Sequence, residues 1–118
     1  MINYQIDVTY TADSSNVTWG IDNQTPRPIK LKPEDTISFA FHGPGEVTDA
    51  VLLTGPRKKN TARSPFRNGN QINIEPNAPL AIDNVPGLWG FSISFTVSID
   101  GISKFLFLPD PELEVGST

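Results

Sequence analysis

One segment near the C-terminus alternates large apolar residues with small ones in an unbroken pattern. From Trp89 to Ile99 every second residue is apolar and bulky, and the residues between are glycine, serine or threonine. A period of two places successive side chains on opposite faces of a β-strand. Asp100-Gly101 then separates this run from a second apolar run at residues 102–108. Because a two-residue type I′ turn needs positive φ at both positions, this pair predicts a tight hairpin.

The register of this hairpin decides which way Phe105 and Phe107 face. A two-residue turn predicts the cross-strand pairs Ile99–Ile102, Val97–Lys104 and Phe95–Leu106. The two phenylalanines then share the serine face and need a cover, either from this chain or from a second subunit. A longer turn with a bulge would turn them inward. The sequence favours the bulge or a cover within the chain.

Shorter runs of the same kind occur upstream and at the C-terminus. The further predicted strands cover residues 2–10, 17–21, 29–31, 36–41, 72–74 and 112–115. We expect 29–31 at a sheet edge, because Pro28 cannot donate to a ladder, and 112–115 as another short edge strand. Residues 46–54 fit both a helical and a strand spacing, and we predict a strand at 51–53 after a possible helical turn. We predict a long polar loop at 56–70 and irregular chain at 75–86.

About eight short strands joined by turns predict an all-β fold. With eleven prolines and nine glycines in 118 residues, the chain suits a Greek-key β-sandwich, either cupredoxin-like or immunoglobulin-like, formed as a single domain over residues 1–118. The predicted core consists of Ile6, Val8, Trp19, Ile37, Phe39, Phe41, Phe91, Ile93, Phe95 and Val97.

The C-terminal third resembles small bacterial proteins with a cupredoxin-like sandwich that carry no copper. The resemblance lies in the strand from Gly90 to Ile99, the Asp100-Gly101 turn and the terminal Leu-Pro-Asp-Pro-Glu-Leu-Glu-Val at 108–115. Copper-binding members of that fold use two histidines, a cysteine and often a methionine. This chain has no cysteine, one histidine and one methionine, so the resemblance implies the fold without the metal.

Composition excludes several classes of function. The absence of cysteine rules out disulfides and thiolate chemistry. A net charge of −4 and a pI near 4.7 argue against a globally basic nucleic-acid binder. We find no cofactor motif, no secretory signal and no apolar stretch of the ~20 residues that a membrane span needs. We therefore predict a protein of the cytoplasm.

His42 is the one candidate for acid–base catalysis. It stands at the predicted end of a strand, with the carboxylates Glu46 and Asp49 following it. One of them could orient the imidazole as a general base, as in a small hydrolase or isomerase. The alternative is an exposed loop histidine, which the sequence favours because no second histidine or nucleophile elbow accompanies it.

The predicted loop 56–70 concentrates positive charge. Arg57, Lys58, Lys59, Arg63 and Arg67 lie in it without any acid. Together with Phe66, these cations could hold phosphates, acidic lipids, nucleic acid or an acidic protein. The alternative is a solvated loop.

Two further binding hypotheses rest on aromatic and acidic residues. Trp19 and Trp89 could form a platform for a sugar, with Asn70, Gln71 and Asn73 nearby, although tryptophan in an alternating strand is usually core. The acids Asp110, Glu112 and Glu114 could bind calcium, as could Glu46 with Asp49, but no spacing matches a calcium loop and we predict no metal.

Taken together, the sequence favours a non-enzymatic binding or structural module that self-associates through a sheet edge or through Phe105 and Phe107. The alternatives are an anion or nucleic-acid binder using loop 56–70, a small enzyme centred on His42, and a carbohydrate-binding module.

Overall fold

The computed structural model describes residues 2–11, 17–21, 29–57, 64–67, 69–83, 85–108 and 112–115, and these residues form strands and connections without any helix. The described strands are β1 (Asn3–Tyr10), β2 (Val17–Ile21), β3 (Ile29–Leu31), β4 (Thr36–His42), β5 (Glu46–Pro56), β6 (Gln71–Asn73), β7 (Leu80–Ala81), β8 (Gly87–Ile99), β9 (Ile102–Leu108) and β10 (Glu112–Val115). The all-β prediction is therefore confirmed, with ten described strands rather than about eight.

The strands form two mixed sheets. The four-stranded sheet has the order β2-β1-β4-β7, in which β1 and β4 run parallel. The six-stranded sheet has the order β3-β10-β8-β5-β6, and β9 pairs with β8 on the same side as β10. The Greek-key connection and the cupredoxin-like resemblance remain predictions.

Apolar side chains from both sheets meet in one core. Of the ten predicted core residues, eight are buried, while Trp19 and Phe41 are partly buried and pack against the others. Aromatic pairs join the two sheets: the ring centroids of Tyr10 and Phe95 lie 5.5 Å apart, and those of Phe39 and Phe91 lie 6.4 Å apart. This packing confirms the inward face that the alternation predicts for β8.

Strand β5 differs from the sequence prediction. Residues 46–56 form one strand, and no helical turn precedes Val51. The pairing of β5 with β8 shifts between Thr48 and Val51, and Asp49 has a φ of 53°. This irregularity is a β-bulge, which adds a residue to one strand and breaks the period of two. The extra residue explains why Asp49 stands among apolar positions and why the spacing looked helical.

Three further predictions need correction. Residues 75–86 are not wholly irregular, because Leu80–Ala81 forms β7 beside β4. Strand β10 is not an edge strand, since it lies between β3 and β8, whereas β3 occupies the edge as predicted. Within the predicted loop 56–70, Phe66 is buried and bridges to Ile82.

Candidate functional site

The hairpin β8–β9 has the register that a two-residue turn predicts. Ile99 pairs with Ile102, and both turn residues have positive φ, 50° at Asp100 and 79° at Gly101. These angles match a type I′ turn, which keeps the strand twist and allows no bulge. The alternative in which a bulge turns Phe105 and Phe107 inward is therefore wrong.

Phe105 and Phe107 lie on the outer face of the six-stranded sheet. They pair with Thr96 and Ser94, whose side chains point away from the core. Phe105 is 71% exposed and Phe107 is 49% exposed. A cover from within the chain, the second alternative favoured by the sequence, is therefore also wrong.

The same outer face continues across β8 onto β5. Ser94 pairs with Val51 and Ser92 pairs with Leu53, and Leu53 is 45% exposed. We call this surface, made by the outward residues of β5, β8 and β9, the outer β8 face. Its central members are Thr48, Val51, Leu53, Ser92, Ser94, Thr96, Phe105 and Phe107. None of these residues is charged, but a charged residue stands at each end of the face: Glu46 opposite Ser98 at one end, and the guanidinium of Arg57 against Gly90 at the other.

Ile102 is the third large exposed hydrophobic residue of β9, but it lies outside the outer β8 face. It pairs with Ile99 at the hairpin end and has the inward parity of Leu106 and Leu108. Its 63% exposure follows from its place at the tip of the hairpin. Ile102 is therefore a suitable control for substitutions on the outer β8 face, because it is exposed and apolar but lies outside that face.

His42 forms a hydrogen-bonded pair with Asp7 on the outer face of the four-stranded sheet. The Nε2 atom of His42 lies 2.8 Å from Oδ1 of Asp7, which also accepts a hydrogen bond of 2.7 Å from Nε2 of Gln5. The histidine side chain is half exposed, whereas Asp7 is buried. Because an ionised carboxylate only accepts hydrogen bonds, Nε2 of His42 is the donor to Asp7.

His42 borders a cleft of about 470 Å³ at the end of β4. Tyr10, Phe41, Glu46 and Asn77 contribute to its walls. The phenol of Tyr10 donates a 2.9 Å hydrogen bond to the carbonyl oxygen of Pro44. The residues that line the cleft in the described part of the chain include no serine, threonine, cysteine or lysine, so they supply no ordinary nucleophile.

The partner of His42 differs from those expected. The sequence suggested Glu46 or Asp49, but the hydrogen bond goes to Asp7, 35 residues earlier in the chain. The parallel pairing of β1 with β4 brings the two side chains together, with Thr9 opposite His42 and Asp7 opposite Ala40. The sequence carried one indication of this pair. The alternation of apolar and polar residues places both Asp7 and His42 at outward positions of their strands.

The described part of loop 56–70 shows its arginines engaged with the protein. Arg67 donates from Nε to Oδ1 of Asp83 over 3.1 Å. The guanidinium of Arg57 lies against Gly90. It fills the space that a side chain at position 90 would need. Lys58, Lys59 and Arg63 lie outside the described residues. Because Phe66 is buried, it offers no ring for stacking. The hypothesis that loop 56–70 binds an anion therefore rests on its cationic side chains alone and remains a prediction.

The remaining hypotheses receive no site in the described residues. Trp89 is fully buried and Trp19 packs its edge against Phe91 with ring centroids 6.4 Å apart, so the two rings do not form an exposed platform for a sugar. Among the described residues no three histidine or acidic side chains cluster to hold a metal, and Asp110 lies outside them. No helix in the same part of the chain is long and apolar enough to cross a membrane.

Comparisons with known proteins leave the function to be argued from these sites. No protein-family model matches the sequence, and no curated protein matches it.

Proposed function

We propose that this chain is a non-enzymatic, self-associating binding or structural module whose contact surface is the outer β8 face. The observation that carries the proposal is the pair Phe105 and Phe107, fixed outward by a type I′ turn and exposed side by side. No described strand buries either ring. Exposed aromatic residues grouped on an uncharged face are typical of a surface that another polypeptide covers.

The size of the exposed area supports reversible association rather than a permanent complex. With 71% and 49% of their surfaces exposed, the two rings present roughly 180–300 Å² per copy, if an aromatic side chain offers ~150–250 Å². Burying them in two copies would contribute about 9–15 kcal/mol at ~25 cal/mol per Å². Association itself costs about 4–15 kcal/mol. The two terms are similar in size, so we expect a dimer that dissociates on dilution.

Sedimentation velocity over a range of protein concentrations tests this function. We expect the weight-average sedimentation coefficient to rise with concentration for the natural chain. The substitutions Phe105→Ser and Phe107→Ser should remove that rise because they delete the apolar contact. Ile102→Ser is the matched control, since it removes a comparably exposed apolar residue from outside the face. A natural chain that stays monomeric at the highest concentration, or an equal loss of association in Ile102→Ser, would contradict the proposal.

A small enzyme centred on His42 is the second candidate, and one observation favours it. An imidazole held at 2.8 Å by a buried carboxylate, with a cleft beside it, is the arrangement that a general base requires. We rank it second because the described cleft residues include no serine, threonine, cysteine or lysine for His42 to activate, so His42 would have to activate water.

Hydrolysis of short-chain nitrophenyl esters tests the enzyme candidate. A general base contributes about 10²–10⁴-fold, so His42→Gln should lower the rate by that factor and Asp7→Asn by part of it. Thermal unfolding of both variants checks that they fold. A rate for the natural chain that is no greater than that of free imidazole at the same concentration would reject this candidate.

A further inference from the structure

The outer β8 face contains a trough next to a ridge. In the part of the central strand β8 that faces β9, the outward residues are all small and carry a hydroxyl group: Ser94, Thr96 and Ser98, with Ser92 just before them. On one side β9 carries Phe105 and Phe107, and on the other β5 carries Val51 and Leu53. Neighbouring strands lie ~4.8 Å apart, so the axes of β9 and β5 lie ~10 Å apart on the two sides of β8. A phenyl ring fits into such a space.

We propose that the partner of this face is a second copy of the same chain, with the Phe105 and Phe107 ridge of each copy lying in the β8 trough of the other. This inference rests on the proposed function, to which it adds the partner and its orientation. The argument is self-complementarity: one surface carries both the ridge and the trough that accepts it, which is the requirement for a two-fold symmetric interface.

The geometry selects one direction for the symmetry axis. A two-fold axis that runs parallel to the strands, between β8 and β9, places β9 of one copy over β8 of the other. It also preserves height along the strands, so Phe107 of the second copy lies over Ser94, and Phe105 of the second copy lies over Thr96. A two-fold axis in the interface but perpendicular to the strands would place β9 over β9 and press ridge against ridge. Only the first axis lets both ridges occupy troughs.

The chemistry of the face agrees with this arrangement. In it, each Phe107 ring lies between Phe107 and Val51 of the other copy, so aromatic and apolar contacts stand at the centre. The surrounding serine and threonine hydroxyls bring no charge that must be desolvated. Because such an interface uses the same patch on both copies, association stops at the dimer and does not continue into a fibre.

Pairing through the edge of β9 is the competing arrangement. Since Ile99 and Ile102 flank a two-residue turn, the amides of Ser103, Phe105 and Phe107 point away from β8. A β9 strand from another chain could pair with them. That arrangement joins the sheets side by side and leaves both phenyl rings facing water, so it does not account for the exposed aromatic residues.

Single cysteines test the orientation, because the natural chain has none. Ser94→Cys lies in the trough, and Thr18→Cys, an exposed position on the outer face of the four-stranded sheet, is the matched control. Each variant is treated with a bis-maleimide whose span matches the ~10 Å spacing of stacked sheets. We expect Ser94→Cys to form a covalent dimer and Thr18→Cys to remain monomeric. Adding Phe107→Ser to Ser94→Cys should abolish the covalent dimer.

Hydrogen exchange and sedimentation separate the ways in which this result could fail. A dimer that sediments as such, does not crosslink at Ser94→Cys and protects the amides of Ser103, Phe105 and Phe107 is an edge pair. That result would overturn this inference and leave the proposed self-association standing. Equal crosslinking of Thr18→Cys would also overturn the inference. A chain that sediments as a monomer at all concentrations would overturn both.

Discussion

At the scale of single residues, Tyr10 joins the core to the turn that follows β4. Its ring is buried and packs against Phe95, and its hydroxyl donates to the carbonyl oxygen of Pro44. Gly43 lies against the face of the ring, where a Cβ atom would meet the ring carbons within 2.7 Å. Burial raises the pKa of the Tyr10 phenol above its ordinary value of 10.0.

This shift predicts a loss of stability in alkali. The folded-state pKa of Tyr10 lies above the unfolded-state value, so its contribution is complete below pH ~10 and is lost as the pH rises through the folded-state pKa. Denaturant unfolding between pH 8 and 11 measures it. Tyr10→Phe should lower the free energy of unfolding by about 1 kcal/mol near neutrality, through the lost hydrogen bond, and reduce the alkaline fall. Tyr4→Phe is the control and should keep that fall. An equally steep fall in both variants would contradict the assignment.

At the scale of elements, patterns that act over a few residues predicted the structure well. The strict alternation of β8 and the Asp100-Gly101 turn fix both strands and their register, because side-chain period and turn geometry are local properties. The same locality explains the failure at β5. A bulge at Asp49 inserts one residue, and a rule based on a period of two cannot absorb it.

Pairings between distant strands could not be read from the sequence. The parallel ladder between β1 and β4 and the place of β10 between β3 and β8 depend on how the sheets assemble, which alternation does not specify. For that reason Asp7 was missed as the partner of His42, although its type and face were readable. The exposure of Phe105 and Phe107 was one predicted outcome, but deciding it required knowing that none of the described strands covers them.

At the scale of the whole molecule, the two faces of the six-stranded sheet differ in burial. The inner face packs against the four-stranded sheet and accounts for the shared core. The outer β8 face adds nothing to that core, so substitutions on it should leave the fold intact and change only association. The proposed dimer would link folding to association, because a dimer that forms from native chains alone draws the unfolding equilibrium towards the native state.

The linkage predicts a melting temperature that depends on protein concentration. Once the dimer predominates, the fraction of chains present as free protomer falls as the inverse square root of total concentration. A hundred-fold increase in concentration therefore adds about 1.4 kcal/mol to native-state stability and raises Tm by roughly 4–8 °C. Fluorescence of the buried Trp89 reports the unfolding. Phe107→Ser should melt at one temperature throughout, whereas Ile102→Ser should keep the slope of the natural chain. If the Tm of Phe107→Ser depends on concentration as steeply as that of the natural chain, the contact lies elsewhere on the molecule. The same conclusion follows if sedimentation shows the natural chain to be dimeric but its Tm does not change with concentration.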